Sequence, residues 1–293
     1  MALIGAKLTK LKTGPASTKS GWPSVFALGI ALRRARMARR ISLRVLAYRV
    51  GIHPAVLSAW ELGVRAPKLE DVARLLGCLH VKKAEYLEII DIFRQIDRPT
   101  LIEPFSDLAN PLLWHYEMTA TKIFEWAPAL VPNRLQTTDY TQAILENSIL
   151  GEDEVSRHSL ACAARPDIVD GNNPGTFTFA LGEPSLRSIA DSPQVMLDQL
   201  QYLQKVSELP HIRVCVVRGN ASTNFVPSFS IYESTRTGAT TVVHQSLHGI
   251  VYDAEPRNAN RYLATAKAIR ATAASESSSI LTIAEIIDQL RLR

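Results

Sequence analysis

The sequence predicts an all-α helix-turn-helix domain of five helices, followed by an α+β domain with a small, mostly antiparallel sheet. Residues 42–63 have the spacing of two short helices that cross at a sharp turn. The chain has 293 residues, which is long enough for about two domains. Residues 1–98 contain 18 Lys and Arg against 7 Asp and Glu, a net charge of +11, whereas residues 99–293 have a net charge of −6. This asymmetry indicates a polyanionic partner for the first domain.

The first domain is predicted over residues 24–97, after a flexible basic tail at residues 1–23 that has no sustained apolar period. Apolar residues at helical spacing predict its first helix, and Ser42 is predicted to cap the second. The third helix belongs to the turn motif. A fourth helix carries an apolar stripe over Leu69–Leu79, and a fifth is predicted over residues 83–96.

The turn between the second and third helices is the most specific motif. Ala47 is small enough for the next helix to pack against its backbone, and Gly51 can take the positive φ that the turn needs. Leu57 and Trp60 are spaced to fill the gap between the two helices. In such a unit, the second helix of the pair usually enters the DNA major groove.

Residues 98–110 contain two prolines and are predicted to link the first domain to the second, residues 111–293. Helical periodicity and β-branched or aromatic runs both occur in the second domain, which predicts the α+β fold. The predicted helices lie at 112–126, 136–148, 152–165, 194–209, 256–273 and 280–291. The predicted strands lie at 176–181, 212–217, 228–233, 240–244 and 249–252, with a turn at Thr237-Gly238.

The candidate DNA-binding residues fall into two groups, because phosphate contacts position a protein on DNA and base-edge contacts give sequence preference. The predicted phosphate-binding residues are the basic ones around the motif and the histidine at the start of the third helix: Arg36, Arg39, Arg40, Arg44, Arg49, His53, Arg65 and Lys68. The predicted outward positions of the third helix are Pro54, Ala55, Val56, Ser58 and Ala59. None of these five is Arg, Lys, Asn or Gln, so we expect modest base readout or readout of DNA shape.

About 75 residues of the first domain resemble the Xre/Cro-type helix-turn-helix family. The resemblance is carried by LGIALRRAR (28–36), LAYRVGI (46–52), LSAWELGVRAPKLEDVARLL (57–76) and the helix that follows. It implies the fold and DNA binding. The chain differs from the family at Leu43, where members usually carry Gln, and at Ala55, Val56 and Ala59, where polar residues are common.

Most of residues 112–290 resemble the DUF5753-type domain that follows such helix-turn-helix domains in actinobacterial regulators. The matching segments are FEWAPALVPNRLQTTDYTQAIL (124–145), GEPSLRS (182–188), MLDQLQYLQKVSELPHIRVCVV (196–217) and SFSIYE (228–233). The usual Gly-Leu-Leu-Gln-Thr of the family is Asn-Arg-Leu-Gln-Thr at 133–137 here, and the motif arginines of the next helix are partly present, as Arg157 and Arg165. The resemblance implies an antitoxin-like regulator, linked to development and antibiotic production, with a small partner protein encoded nearby.

Motifs for catalysis or metal binding are weak. His158 and Cys162 have a metal-compatible spacing, but the sequence indicates no third ligand. His244 and His248 are interpreted as polar or packing groups, and Glu183 as a buried or capping carboxylate. The sequence has no Gly-rich phosphate loop and no GxSxG. We therefore expect no enzyme activity, no cofactor and no metal site.

Cysteine usage and hydropathy bear on the compartment. The three cysteines, Cys78, Cys162 and Cys215, are far apart, which favours a reducing environment. No apolar run approaches 18 residues, and the N-terminal lysines are not followed by an apolar segment. We expect a cytoplasmic protein without a membrane segment.

Three functions remain open from the sequence. The first is a DNA-binding transcriptional regulator, a homodimer on half-sites about one helical turn apart, whose second domain responds to a partner protein. The second is a regulator with the same DNA-binding end that senses a small molecule in a pocket of the second domain. The third is a protein-interaction module whose helix-turn-helix no longer reads DNA sequence, suggested by the apolar outward positions of the third helix.

Overall fold

The protein is described from a computed structural model, which describes residues 21–104, 110–146, 175–187, 193–218, 225–246 and 248–292. Several sequence predictions lie outside these residues. They are most of the basic tail, the helix at 152–165 with Arg157 and Arg165, and the pair His158 and Cys162.

Five helices form the N-terminal domain, as predicted. They are α1 (Pro23–Ala38), α2 (Leu43–Arg49), α3 (Pro54–Glu61), α4 (Leu69–Cys78) and α5 (Lys83–Arg94). Their apolar faces enclose one core that includes Leu28, Leu57 and Leu76, each of which is completely buried. Helix α1 begins at Pro23, within the segment predicted to be tail, because proline suits the first turn, where the backbone N–H has no helical partner.

Local chemistry fixes the turn between α2 and α3. The Val45 N–H donates to Ser42 Oγ at 3.3 Å, which caps α2 as predicted. Gly51 has a φ of 68°, the left-handed conformation that the turn needs. Ala47 is completely buried, so α3 packs directly against the backbone of α2.

Helix α1 crosses the end of α3 at close range. A Cβ atom at Gly29 would lie 2.6 Å from the carbonyl oxygen of Trp60 and 2.8 Å from that of Glu61. Glycine is therefore needed at this crossing, because any side chain would push the two helices apart. The close approach couples the position of α3 to that of α1.

The second domain is α+β, as predicted, but its sheet is larger than predicted and mixed. Seven strands pair in the order β1-β7-β6-β5-β2-β3-β4. Strands β2, β3 and β4 are parallel to one another, and the remaining pairs are antiparallel. The strands are β1 (Thr100–Glu103), β2 (Lys122–Ala127), β3 (Thr176–Gly182), β4 (Ile212–Val217), β5 (Phe229–Glu233), β6 (Thr240–Ser246) and β7 (Gly249–Asp253).

Two strands were not predicted. The linker predicted at 98–110 contains β1, whose residues pair with β7 at the edge of the sheet. The helix predicted at 112–126 is wrong beyond residue 119, because residues 122–127 form β2 between β3 and β5. This strand is covered on both faces, since Ile123 packs in one core and Trp126 in another, so it lacks the plain alternation of a half-exposed strand.

Helices cover both faces of the sheet. They are α6 (Pro111–Thr119), α7 (Thr138–Glu146), α8 (Pro193–Ser207), α9 (Pro256–Thr272) and α10 (Glu276–Arg291). Residues of α6, α7, α8 and α10 share the larger core with one face, and α9 covers the other face through Ala259, Ala266 and Ile269. Gly238, in the predicted turn between β5 and β6, has a φ of 68°.

The two domains contact each other through α1 and α6. Phe26 of α1 belongs to the core of the second domain, and its ring centroid lies 5.4 Å from that of Tyr116 and 4.6 Å from that of His115. Ser24 Oγ also donates to the carbonyl oxygen of Arg98, two residues before β1, at 3.1 Å. The helix that supports α3 is therefore also part of the second domain's core.

The domain contact predicts a dependence of stability on pH. Burial, together with the positive charges of Arg236 and Arg33, lowers the pKa of His115 to about 4. Because an unfolded histidine has a pKa of about 6.5, the unfolded chain binds a proton between pH 6.5 and 4 that the folded chain does not. The free energy of unfolding should therefore fall as the pH falls through this window, by up to about 3 kcal/mol. Urea denaturation of the wild type and His115→Phe at pH 7 and pH 5 measures this loss.

The variant controls for other groups that titrate in this range. Burial raises the pKa of Glu103, for example, so its protonation makes the folded state more stable as the pH falls, which is opposite to the effect of His115. The His115→Phe protein should lose less stability between the two pH values than the wild type. Equal losses would show that His115 does not titrate in this window.

Candidate nucleic-acid interface

The start of α3 presents a hydrogen-bond donor. The Ala55 N–H donates to Nδ1 of His53 at 3.2 Å, which makes His53 the N-cap of the helix. In the neutral imidazole the proton then lies on Nε2, which is left as a donor on an exposed side chain. A donor at a helix N-terminus, where the dipole is positive, suits a phosphate oxygen.

The outward side of α3 is poor in polar groups. Ala55 is exposed, whereas Pro54, Val56, Ser58 and Ala59 are half-buried. Val56 also packs against the domain core, and among these five positions only Ser58 has a hydrogen-bonding side chain. The expectation of modest base readout stays a prediction.

Five of the seven predicted basic phosphate contacts are exposed near α2 and α3, and they form no ion pair within the described parts of the chain. They are Arg40, Arg44, Arg49, Arg65 and Lys68. Arg44 and Arg49 lie on α2, and Arg65 and Lys68 lie between α3 and α4. Arginine and lysine side chains that are free to move suit phosphate binding.

Arg36 lies in a buried ion pair with Glu61, which argues against its predicted contact with a phosphate. Its Nε and Nη2 donate to the two carboxylate oxygens of Glu61 at 2.6 and 2.7 Å, and its Nη1 donates to the Ile41 carbonyl at 2.9 Å. The side chains of Arg36 and Glu61 are 11% and 4% exposed. The hydrogen bonds from Arg36 join the end of α1 to the end of α3, and they raise the pKa of Arg36.

Arg39 is also engaged within the protein. Its Nη1 and Nη2 donate to the carboxylate of Glu85 at 3.1 and 2.8 Å, and Nη1 also donates to the Ala35 carbonyl. Hydrogen bonds from Arg39 lower the pKa of Glu85, so the pair stays ionised at neutral pH. Because the charge of Arg39 is balanced by Glu85, we expect it to contribute less to phosphate binding than the five exposed basic residues.

Tyr48 is an exposed residue of this surface that the sequence did not predict. This residue of α2 is 88% exposed and is one turn from Arg44, and Val45 beside it is 43% exposed. An exposed tyrosine between two arginines offers a hydroxyl donor and a flat apolar ring next to the basic surface. Its position four residues after Arg44 places it on the same face of the helix as that predicted phosphate contact.

Groups considered for other chemistry lie apart from this surface. Glu183 accepts a hydrogen bond from Arg187 Nε at 3.2 Å, and His248 is exposed. Nδ1 of His244 is buried without a hydrogen-bond partner in the described parts of the chain. In those parts, no group of three or more His, Cys, Asp or Glu is arranged to hold a metal ion, and no helix is long and apolar enough to cross a membrane.

Two family models match different parts of the chain. A family model described as a helix-turn-helix domain matches residues 27–87. A model described as a domain of unknown function, DUF5753, matches residues 111–285, which is more than half of the chain. No curated protein matches the sequence. The two matches confirm the order of domains that the resemblances implied.

Proposed function

Because the chain belongs to the family of the DUF5753 domain of unknown function and carries a helix-turn-helix domain before it, we propose that it is a transcriptional regulator that binds double-stranded DNA. One observation carries the proposal. Five exposed basic side chains that form no ion pair with any described residue, together with the Nε2 donor of His53, surround a helix-turn-helix whose turn contains the left-handed Gly51.

The affinity of the intact chain for a mixed-sequence duplex should fall steeply with salt. If Arg40, Arg44, Arg49, Arg65 and Lys68 each contact one phosphate, a plot of log K against log salt has a slope of roughly −4.5 for each bound protomer. Fluorescence anisotropy at several salt concentrations measures the slope. A slope near zero would contradict phosphate binding by this surface.

We propose that the protein binds DNA as a homodimer, because dimeric helix-turn-helix proteins dock on two half-sites about one helical turn apart. Helix α5 offers a contact surface, since Tyr86 is 36% exposed and Leu87 is 47% exposed. We also propose a cytoplasmic location, because a DNA-binding regulator must be in the same compartment as the DNA. Sedimentation of the free protein and of its DNA complex measures the number of chains in each.

The finer proposal is that a small partner protein, as the family resemblance implies, controls DNA binding. Helix α6 supports it, because Trp114 and Met118 lie one turn apart and are 47% and 37% exposed, while the same helix contacts α1 through its other face. A partner bound to α6 would act on α1, the helix that α6 contacts and that packs against α3. A change in DNA affinity on addition of the purified partner tests this, and an unchanged affinity would contradict it.

A further inference from the structure

A cavity of about 240 Å³ opens at the carboxyl end of β2, where the chain leaves the sheet. In sheets with parallel strands, this end commonly holds ligands. Helix α6, the segment after β2 and the neighbouring strands all contribute to its walls. Leu113, Val131 and Ile250 form part of an apolar wall, and Leu130, which is 43% exposed, lies at the rim.

The polar wall is built around one buried arginine. Arg134 donates from Nε to Glu117 at 3.0 Å and from Nη1 to Glu125 at 2.8 Å, and its Nη2 donates to the hydroxyl of Tyr232. The side chains of Arg134, Glu117 and Glu125 are 7%, 3% and 18% exposed. These hydrogen bonds hold the polar groups in place before any ligand arrives, which lowers the cost of binding one.

The charge of the lining favours a cation. All three nitrogens of Arg134 already donate to protein groups, so its positive charge is directed into the wall. The charged side chains around the cavity are two carboxylates and one guanidinium, an excess of one negative charge when histidine is neutral. A pocket with these walls suits a positively charged group on an apolar body.

The cavity is connected to the DNA-binding domain by contiguous aromatic rings. The ring centroids of Tyr232 and Tyr116 are 5.5 Å apart, and those of Tyr116 and Phe26 are 5.4 Å apart. Phe26 lies on α1, one turn from Gly29 at the crossing with α3. A ligand that moves Tyr232 therefore acts on a packed path that ends at the proposed DNA-contact helix.

From these contacts we propose that the cavity binds a small organic amine with an apolar body, in its protonated form, and that its occupation changes DNA affinity. The binding site stands independently of DNA, whereas the change in affinity rests on the proposed function. The proposed ligand site is separate from the proposed partner-binding site on α6, because the cavity and the exposed face of α6 are different surfaces.

Three probes of the same shape and different charge test the site. They are 2-phenylethylamine, which is cationic, 2-phenylethanol, which is neutral, and 3-phenylpropionate, which is anionic. Thermal denaturation of the intact chain with each probe at millimolar concentration measures binding. We expect the amine alone to raise the melting temperature. No shift with the amine, or an equal shift with all three probes, would overturn the proposal.

Substitutions at the rim test the charge without disturbing the buried wall. Leu130→Lys should weaken binding of 2-phenylethylamine by about threefold and Leu130→Glu should strengthen it by a similar factor, because a charge near the mouth acts through water. Leu281→Lys, at a residue of α10 that is 63% exposed, adds the same charge elsewhere and should leave binding unchanged. Equal effects of both lysines would point to a general charge effect and overturn the site.

The coupling is measured separately. Saturating 2-phenylethylamine should change the affinity of the wild-type chain for DNA by about fivefold or more, and DNA should change the affinity for the amine by the same factor. An unchanged DNA affinity with confirmed amine binding would overturn the coupling alone. Absence of DNA binding under all conditions would overturn the proposed function and leave the thermal test of the site intact.

Discussion

Replacing Arg44 and Arg49 together by alanine should weaken binding to every duplex sequence by roughly 100-fold at 0.1 M salt. Both side chains are exposed on α2 and form no ion pair in the described parts of the chain. Each phosphate contact contributes about 0.9 to the slope of log K against log salt, so the double variant should lose about 2 from that slope for each bound protomer. Anisotropy titrations with several duplexes at three salt concentrations measure both quantities.

A matched control removes the same charge from the other domain. Arg257 and Arg261 are exposed on α9, and the double variant Arg257→Ala with Arg261→Ala should keep the affinity and the salt slope within about twofold of the wild type. Similar losses in both double variants would mean that net charge, and not the surface of α2, drives binding.

Replacing Arg36 by methionine should destabilise the N-terminal domain by about 3–5 kcal/mol, because it leaves the carboxylate of Glu61 buried without its partner. The Ile41 carbonyl also loses its donor. Since this pair joins α1 to α3, the loss should appear in the amides of those helices. Hydrogen exchange of the α1 and α3 backbone at low denaturant measures the change locally.

The double variant Arg36→Met with Glu61→Leu separates structure from DNA binding. It replaces the buried pair by apolar groups, and we expect it to recover most of the lost stability. If Arg36 acts only within the fold, this variant should also bind DNA with the wild-type salt slope. A slope reduced by about 1 would show that Arg36 contacts a phosphate after all.

The helix-turn-helix domain could be predicted from sequence because its determinants are local. The Ser42 cap, the left-handed Gly51 and the apolar spacing from Ala47 to Trp60 all act within one turn motif, and the structure places each as predicted. Such signals do not depend on residues far along the chain.

The full sheet could not be predicted, because its pairing is long-range. Strand β2 pairs with residues 176–181, which are more than 50 positions away, and β1 pairs with residues 250–253. A short strand buried on both faces has no alternation that distinguishes it from a helix continuing from α6. The mixed sheet therefore depends on pairing between distant segments, which local sequence patterns do not reveal.

The same limit applies to the interface. Arg36 and Arg44 look alike in sequence, yet one is buried against Glu61 and the other is exposed. The difference depends on where α1 crosses α3, which is set by the absence of a side chain at Gly29. Composition identified the basic domain, but the burial of each arginine depends on tertiary packing.

Selection of duplexes from a random pool by the intact chain tests the central claim most directly. If the surface around α2 and α3 docks a homodimer on DNA, the selected pool should be enriched in a palindrome with half-sites about one helical turn apart. The Arg44→Ala, Arg49→Ala variant should not retain this palindrome, whereas the α9 control variant, Arg257→Ala with Arg261→Ala, should retain it. If the protein retains no duplex above background at low salt, that result contradicts DNA binding by this protein.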